Sequence, residues 1–266
     1  MIRTLAAALT IALAATPATA IVGGTSTTEF GQVRNGVQVL PNWVITARHV
    51  GLGVGDTFEN GYGSAVIAAR YDAATGDFPL DDVALLRLAT PINAPSLGLV
   101  ANTLVAGESY AIDATLTTGA NQVPRGYGFS QVREFWPLVD PDDAGPLAPV
   151  PANLLIVYTD GFGTPYVQGG DSGGGLFLGH VTSLAGGAPL WGVASAFIAD
   201  KDANGNDINP RSGYVQLSSY RSWLDATMAA DVTDAQVLGW VTTAVPEPAT
   251  GLLMVLGLCG LARRRR

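Results

Sequence analysis

The sequence predicts an all-β fold, and three features of the chain indicate it. Of the 266 residues 48% are hydrophobic and only 14% are charged, and glycine occurs 33 times. From residue 21 to about residue 231, short apolar runs alternate with Gly, Asn, Asp and Pro, which is typical of strands joined by turns. Only one segment in this range has helical periodicity, so we expect barrels or a sandwich with one late helix.

Seven apolar runs have the length and residue types of strands. They are 36–40, 43–46, 64–68, 83–88, 154–158, 175–178 and 191–195. The segment 137–151 is rich in Pro and Asp, so we predict a long surface loop there.

One segment near the end of the β-rich region has the spacing of a helix. Four apolar side chains fall on one helical face, namely Tyr220, Trp223, Leu224 and Met228. Ser218 and Ser219 precede this segment and are candidate N-caps. We therefore predict a helix over about 219–230.

The first 20 residues have the three parts of a secretory signal. Arg3 gives a positive start, residues 5–15 form an apolar core, and the Ala-Thr-Ala at 18–20 fits a cleavage site. The apolar core is too short to span a membrane. We therefore predict a signal peptide over 1–20 and an exported protein that begins at Ile21, with a buried N-terminal helix as the alternative.

Charge and cysteine content restrict the partners and the ways of holding the fold. The formal net charge is −8; without the terminal residues Arg3, Glu247 and 263–266, 9 basic and 21 acidic residues remain, a formal charge of −12. Such a body repels nucleic acid and anionic membrane surfaces, so we expect neither as a partner. The single cysteine, Cys259, lies in the C-terminal tail, so no intramolecular disulfide can form.

The C-terminus combines a Pro-Glu-Pro motif, an apolar run and a basic end. Pro246-Glu247-Pro248 precedes the apolar residues 249–262, and four arginines follow. An apolar segment with a basic stop is typical of a tail retained in a membrane, although a full span needs about 20 residues. The arrangement resembles the PEP-CTERM sorting signal of Gram-negative bacteria, which implies an exosortase-like processing enzyme and transient anchoring in the inner membrane. A plain C-terminal anchor is the alternative.

Three local patterns carry the residues of an acyl-transfer site. His49 follows an apolar strand, Asp82 precedes another, and Ser172 lies in the run Gly-Asp-Ser-Gly-Gly at 170–174. A serine hydroxyl needs a base to take its proton, and histidine titrates in a suitable range. An acid behind the histidine fixes its tautomer, and glycines beside the serine let N–H groups face a developing oxyanion.

Two rival residues are assigned other places. His180 lies eight residues beyond Ser172, past an apolar run, and we expect it in the core or on the surface. Asp81 ends a loop, whereas Asp82 directly precedes the apolar residues 83–86.

At these residues the chain resembles the chymotrypsin/trypsin family of serine proteases. The chain order of His49, Asp82 and Ser172 agrees with that family. Three further runs resemble its mature N-terminus, its Gly-aromatic-Gly turn and its last strand with the closing helix: Ile21-Val22-Gly23-Gly24, Gly126-Tyr127-Gly128 and 213–224. The resemblance covers about residues 21–230.

The resemblance implies a fold and a reaction. It implies two six-stranded antiparallel β-barrels, here about 21–107 and 108–217, with the site in the cleft between them. It implies a secreted endopeptidase that cleaves proteins or peptides through an acyl-enzyme on Ser172 and requires no cofactor. The chain then divides into a signal peptide, a protease domain over 21–231, a tether over 232–245 and a sorting tail over 246–266.

The resemblance also implies roles for residues beside the triad. The backbone N–H groups of Gly170 and Ser172 would form the oxyanion hole. Asp171 would pair with the ammonium group of Ile21, which the predicted signal cleavage exposes. We therefore predict activation on export without a pro-peptide.

Departures from the family predict the specificity. Tyr166 and Val167, ahead of the nucleophile, offer no acid for a basic side chain. Ser195 and Phe197 fall in the wall of the specificity pocket, and Ser212 stands where a glycine often occurs. Because Phe197 would make the pocket shallow, we predict a small apolar residue before the cut rather than Arg or Lys.

An acidic run near residue 200 offers a candidate metal site. Asp200, Asp202 and Asn204, followed by a glycine, resemble the first half of a calcium loop, but Arg211 stands where the last chelating acid is expected. A structural Ca²⁺ is one interpretation and a solvated acidic turn is the other.

Two other functions are compatible with the same patterns. One is a protein of this fold that serves in adhesion or matrix binding with a silent triad. The other is an esterase that uses the same acyl-transfer chemistry.

Overall fold

The computed structural model describes residues 21–73, 81–119, 126–136, 153–158 and 165–243. The predicted signal peptide, the predicted loop over 137–151 and the sorting tail lie outside these ranges. No helix within the described ranges combines the length and the apolar character needed to cross a bilayer.

The described residues form 14 strands and one α-helix, which confirms the all-β prediction. The strands are β1 (Thr25–Ser26), β2 (Val37–Leu40), β3 (Trp43–Thr46), β4 (Thr57–Asn60), β5 (Gly63–Asp72), β6 (Ala84–Leu88), β7 (Gly98–Val100), β8 (Ile112–Thr117), β9 (Gly126–Trp136), β10 (Leu154–Tyr158), β11 (Gly175–Leu178), β12 (Leu190–Lys201), β13 (Asp207–Gln216) and β14 (Gly239–Val241). The helix, α1, is Arg221–Ala230. All seven runs predicted as strands coincide with observed ones.

The C-terminal barrel is a closed ring of six antiparallel strands. Its order is β8, β9, β10, β13, β12 and β11, and β11 pairs again with β8. Buried and half-buried side chains alternate along β9, as expected when one face of a strand points into a core. That core contains Leu116, Leu155, Leu176, Trp191 and Tyr214.

The N-terminal barrel contains five antiparallel strands in the order β2, β3, β6, β5 and β4. An irregular segment at 30–33 occupies the place of a sixth strand: Gln38 N–H donates to Gln32 O (3.0 Å), and Gly61 N–H donates to Gly31 O (2.7 Å). A Cβ atom on Gly61 would lie 2.9 Å from the Cα of Gly31. Glycine at these two positions therefore lets the two backbones meet and complete the ring.

The largest hydrophobic cluster joins the two barrels and the helix. Trp43 and Leu85 contribute from the N-terminal barrel, and Phe177 and Val215 contribute from the C-terminal barrel. On α1, Leu224 and Met228 are fully buried in the same cluster, as their helical spacing predicts.

The start of the helix differs from the prediction. A 3₁₀ turn, Leu217–Tyr220, precedes α1, and Tyr220 occupies the N-cap position without a side-chain hydrogen bond to the first turn of the helix. The cap prediction for Ser218 and Ser219 is therefore wrong. Their hydroxyls serve other contacts, since Ser218 donates to Asn102 O (3.0 Å) and Ser219 accepts from Gln216 Nε2 (3.0 Å).

The segment predicted as a tether is docked on the domain as far as residue 243. Strand β14 pairs in parallel with β7, Leu238 is buried, and Trp240 Nε1 donates to Asp225 Oδ1 (2.8 Å). Directly before this segment, Asp231 forms an ion pair with Arg87 of β6 (2.8 Å). The prediction missed this docking because the apolar run in the segment, Val237 to Val241, is only five residues long and contains a glycine.

Candidate active site

Ser172 lies in a tight turn that is fixed by its own backbone. Asp171 N–H donates to Gln168 O, Gly174 N–H donates to Asp171 O, and Gly173 N–H donates to Ala194 O, at 2.9–3.0 Å. Gly173 has φ +80°, and a Cβ atom there would lie 2.5 Å from the backbone of Asn35. Only glycine combines that backbone conformation with so close an approach.

His49 follows β3 on a single 3₁₀ turn, Arg48–Val50, and contacts both other residues of the predicted triad. Its Nδ1 lies 2.7 Å from Asp82 Oδ2, and its Nε2 lies 2.7 Å from Ser172 Oγ. Because a carboxylate only accepts, Nδ1 carries the proton and Nε2 is left to accept from the serine hydroxyl. The three residues come from both barrels and lie in contact with one another.

Asp82 is buried and accepts hydrogen bonds from three donors. Besides the His49 ring, they are the His49 backbone N–H to Oδ1 (2.9 Å) and Ser195 Oγ to Oδ2 (2.5 Å). The β12–β13 register shifts between Ala194 and Ala196, and such a bulge re-aims the side chain at its centre. Ser195, predicted only as pocket wall, therefore directs its hydroxyl to the acid.

The residue before the acid is held in an unusual conformation. Asp81 has φ +45°, which is uncommon for a residue other than glycine. Its Oδ1 accepts from the hydroxyl of Tyr220 (2.7 Å), which in turn accepts from Asn153 Nδ2 (3.1 Å). No local pattern predicts this contact, because Asp81 and Tyr220 are 139 residues apart in the chain.

Asp171 and Ile21 are both fully buried. A bridge between Val22 and Tyr166 brings the N-terminal segment beside the loop that carries the serine. Asp171 Oδ2 accepts from Gln168 N–H (2.9 Å), but Oδ1 has no hydrogen-bond partner among the described residues. Burial raises the pKa of Asp171 to about 7, because a carboxylate without a cation is disfavoured away from water.

Four of the five predicted pocket residues lie close to one another, and the fifth, Ser195, directs its hydroxyl to Asp82. Val167 N–H donates to Ser212 Oγ (2.9 Å), and both residues are buried. Phe197 is opposite Ser212 in the β12–β13 ladder, and its ring centroid lies 5.8 Å from that of Tyr166. Phe197 is 41% exposed, so the two aromatic rings form a partly open edge beside the buried pair.

The candidate calcium ligands have partners inside the β12–β13 hairpin. Asp200 accepts from Arg211 (2.6 Å) and Asn209 (3.1 Å), and Asp202 accepts from the backbone N–H groups of Asn204 and Asn206 (2.8 Å each). In the ranges that the structure describes, no three His, Cys, Asp or Glu side chains form a metal-site cluster. The calcium site stays a prediction.

The second histidine lies apart from the triad. His180 is half exposed, its ring lies 4.7 Å from that of Phe129, and its Nε2 lies 3.8 Å from Asp113 Oδ1. These are surface contacts, and no described contact links it to His49 or Ser172.

Comparison with known families gives two matches. A family model described as Trypsin matches residues 20–224, and a model described as PEP-CTERM protein-sorting motif matches residues 244–266. The first covers more than three quarters of the chain. No curated protein matches the chain.

Proposed function

The chain belongs to the trypsin family, and on that premise we propose that it is an exported endopeptidase whose nucleophile is Ser172. One observation carries the proposal: Ser172 Oγ, both ring nitrogens of His49 and Asp82 Oδ2 form an unbroken series with two contacts of 2.7 Å. The PEP-CTERM match indicates a secreted protein that is sorted to the surface.

His49 acts first as a base and then as an acid. Nε2 takes the proton of Ser172 while Oγ bonds to the carbonyl carbon of the peptide, and the carbonyl oxygen becomes an oxyanion. The imidazolium then gives that proton to the leaving nitrogen as the C–N bond breaks, which leaves an ester on Ser172. Water repeats both steps and releases the acid product and the free serine.

Asp82 stabilises the imidazolium in both steps. It is buried and receives hydrogen bonds from the His49 backbone and from Ser195, which hold the carboxylate beside the ring. The proposed oxyanion donors are the backbone N–H groups of Gly170 and Ser172. Neither N–H donates to another described residue, so both are available to a ligand.

Signal cleavage would complete the site. A cut before Ile21 creates an α-ammonium group, and we propose that Asp171 receives it in the buried space beside Val22 and Tyr166. The free Oδ1 of Asp171 and its raised pKa support this pairing. N-terminal sequencing of the secreted protein is expected to give Ile21, and any other first residue would contradict the proposal.

The substrate residue before the cut is small and apolar in this proposal. The contact between Tyr166 and Phe197 narrows the entrance, and Val167 adds apolar surface. Cleavage of a peptide library should therefore favour Ala and Val, and Phe197→Gly should admit larger side chains. A profile dominated by Arg or Lys would refute the assignment.

The C-terminal tail has a separate role. We propose that it holds the exported protein briefly in the inner membrane of a Gram-negative bacterium until an exosortase-like enzyme removes it. Retention of residues 246–266 in the mature surface protein would contradict this proposal and favour a plain anchor.

Fluorophosphonate labelling of residues 21–245, with mass spectrometry of the adduct, tests the reaction directly. The expected adduct is on Ser172 and disappears in His49→Ala, because the probe reacts with an activated serine. A folded protein that begins at Ile21 and does not react would instead be a binding protein with a silent triad.

A further inference from the structure

The loop that carries His49 has little structure of its own. Its 3₁₀ turn contains three residues, the preceding Ala47 provides no side-chain cap, and Gly51 ends the turn with φ +76°. Two more glycines follow within four residues. Short 3₁₀ turns have weak hydrogen bonds, and the only cysteine of the chain, Cys259, lies in the tail. The position of His49 must therefore be fixed by contacts from outside the loop.

Arg70 provides such contacts from β5. Its Nη2 donates to Arg48 O (2.7 Å), its Nη1 donates to Leu52 O (2.5 Å), and its Nε donates to Asp72 Oδ1 (2.9 Å). One carbonyl group belongs to the residue before His49 and the other to the third residue after it. The Arg70 side chain is 16% exposed, so these bonds are largely shielded from water.

The same strand pair also determines the position of the catalytic acid. Arg70 is opposite Leu86 in the β5–β6 ladder, and Asp72 is opposite Ala84. Asp82 lies two residues before β6 begins. A guanidinium group is planar and presents its donors in a fixed fork. Arg70 therefore holds the loop that carries His49 at a fixed position relative to β6, the strand that follows Asp82.

We propose that Arg70 is a positioning residue for His49, an inference that rests on the proposed function. Without the fork, the loop keeps the His49 N–H bond to Asp82 and the backbone bonds of Gly55 and Asp56 to Ile67. The carbonyls of Arg48 and Leu52, which are nearer to His49, lose the donors that tie them to β5. The ring then departs from Ser172, and a misplacement of about 1 Å can cost on the order of 100-fold in rate. The proposed pocket residues belong to the C-terminal barrel, so we expect substrate binding to be retained.

Three variants test the assignment. Arg70→Ala should lower kcat on the order of 100-fold with KM changed by less than about twofold. Arg70→Lys should lose part of the activity, because one ammonium group cannot bridge both carbonyls in the plane of the fork. Asp72→Asn is the matched control. It removes the ion pair but leaves both bonds from Arg70 to the carbonyl groups, so its kcat and KM should remain close to those of the parent protein.

Chemical rescue separates the fork from a general loss of structure. Methylguanidinium should restore part of the kcat of Arg70→Ala, whereas methylammonium at the same concentration should not. Full activity in Arg70→Ala or Arg70→Lys would overturn the proposal. So would a rise in KM as large as the fall in kcat, or the absence of rescue.

Hydrogen–deuterium exchange gives a readout that does not depend on activity. Amides of residues 48–55 should exchange faster in Arg70→Ala than in the parent, and methylguanidinium should slow them again. If the parent protein fails to react with fluorophosphonate, the proposed function fails, and exchange still decides whether Arg70 holds the loop. Unchanged exchange over 48–55 would overturn the proposal.

Discussion

In the C-terminal barrel every one of the six strands has a hydrogen-bonded neighbour on each side, whereas in the N-terminal barrel an irregular segment takes the place of the sixth strand. The first arrangement satisfies backbone groups by regular pairing. In the second, buried side-chain amides donate hydrogen bonds to backbone carbonyl groups that lie outside the strand ladder.

Gln38 makes three of these side-chain hydrogen bonds. Its Nε2 donates to Pro41 O (3.1 Å) and Ile92 O (2.8 Å), and its Oε1 accepts from Asn60 Nδ2 (2.6 Å). Gln32, also fully buried, donates to Pro95 O (2.5 Å). The comparison shows that side-chain amides supply hydrogen bonds where the ladder is incomplete, and that one of their buried atoms, Gln32 Oε1, has no partner among the described residues.

The largest expected effect tests whether the two barrels act as one catalytic unit. His49→Ala on the N-terminal barrel and Ser172→Ala on the C-terminal barrel should each lower kcat on the order of 10⁶-fold. The double variant should lose no more than either single variant, because each removes the same proton transfer. Hydrolysis of a peptide substrate measures all three, and additive losses would contradict a shared site.

The next effect concerns the pH dependence of a precursor that keeps one residue before Ile21. The pKa of Asp171 in this form is about 7, above its ordinary value of 3.8. Because the folded-state pKa is raised, the contribution of Asp171 to the free energy of unfolding is fully present below about pH 4 and is lost as the pH rises through 7, by about 4 kcal/mol in total. Urea unfolding between pH 4 and pH 8 measures this loss.

Two matched proteins sharpen that measurement. Asp171→Asn in the same precursor should remove this contribution, because the amide does not ionise. The form that begins at Ile21 should not show the loss near neutral pH, because its ammonium group pairs with the carboxylate. A precursor and a mature form with the same pH dependence would contradict the buried pairing.

A smaller effect should differ between the barrels. Gln38→Met leaves the Asn60 amide without its acceptor and removes one of the two donors to Pro41 O and to Ile92 O. It should lower the free energy of unfolding by about 3 kcal/mol. Thr115→Val in the C-terminal barrel removes a buried hydroxyl that bonds to Gly179 O and Val181 N–H (2.7 Å each). Because the flanking ladders remain, it should cost about 1–2 kcal/mol. Urea denaturation measures both, and equal costs would contradict the difference between the barrels.

The sequence predicted the parts of the site that depend on local pattern. His49, Asp82 and Ser172 each lie beside a strand or a glycine turn that short-range sequence defines, and the family match confirms the resemblance built on them. It did not predict the second role of Ser195, because that depends on a bulge in the pairing of β12 with β13. It also did not predict the Arg70 contacts.

Such contacts leave no trace in hydrophobic periodicity. Arg70 is polar and its side chain is mostly buried, and only the three-dimensional arrangement shows that the acceptors are carbonyls 18 and 22 residues away. The docking of 232–243 was missed for a related reason, since β14 contains three residues and pairs with an equally short strand. Features that depend on a few long-range hydrogen bonds are the least visible in a sequence.

The docking of β14 limits the space in which the sorting tail can be processed. Thr243 N–H is bonded to Asn102 Oδ1 (2.9 Å), and Pro246 follows three residues later. Even a fully extended chain covers only about 11 Å over that interval. An enzyme that cuts next to Pro246-Glu247-Pro248 must therefore have an entrance wide enough to accommodate the folded protease, or must first pull β14 away from β7.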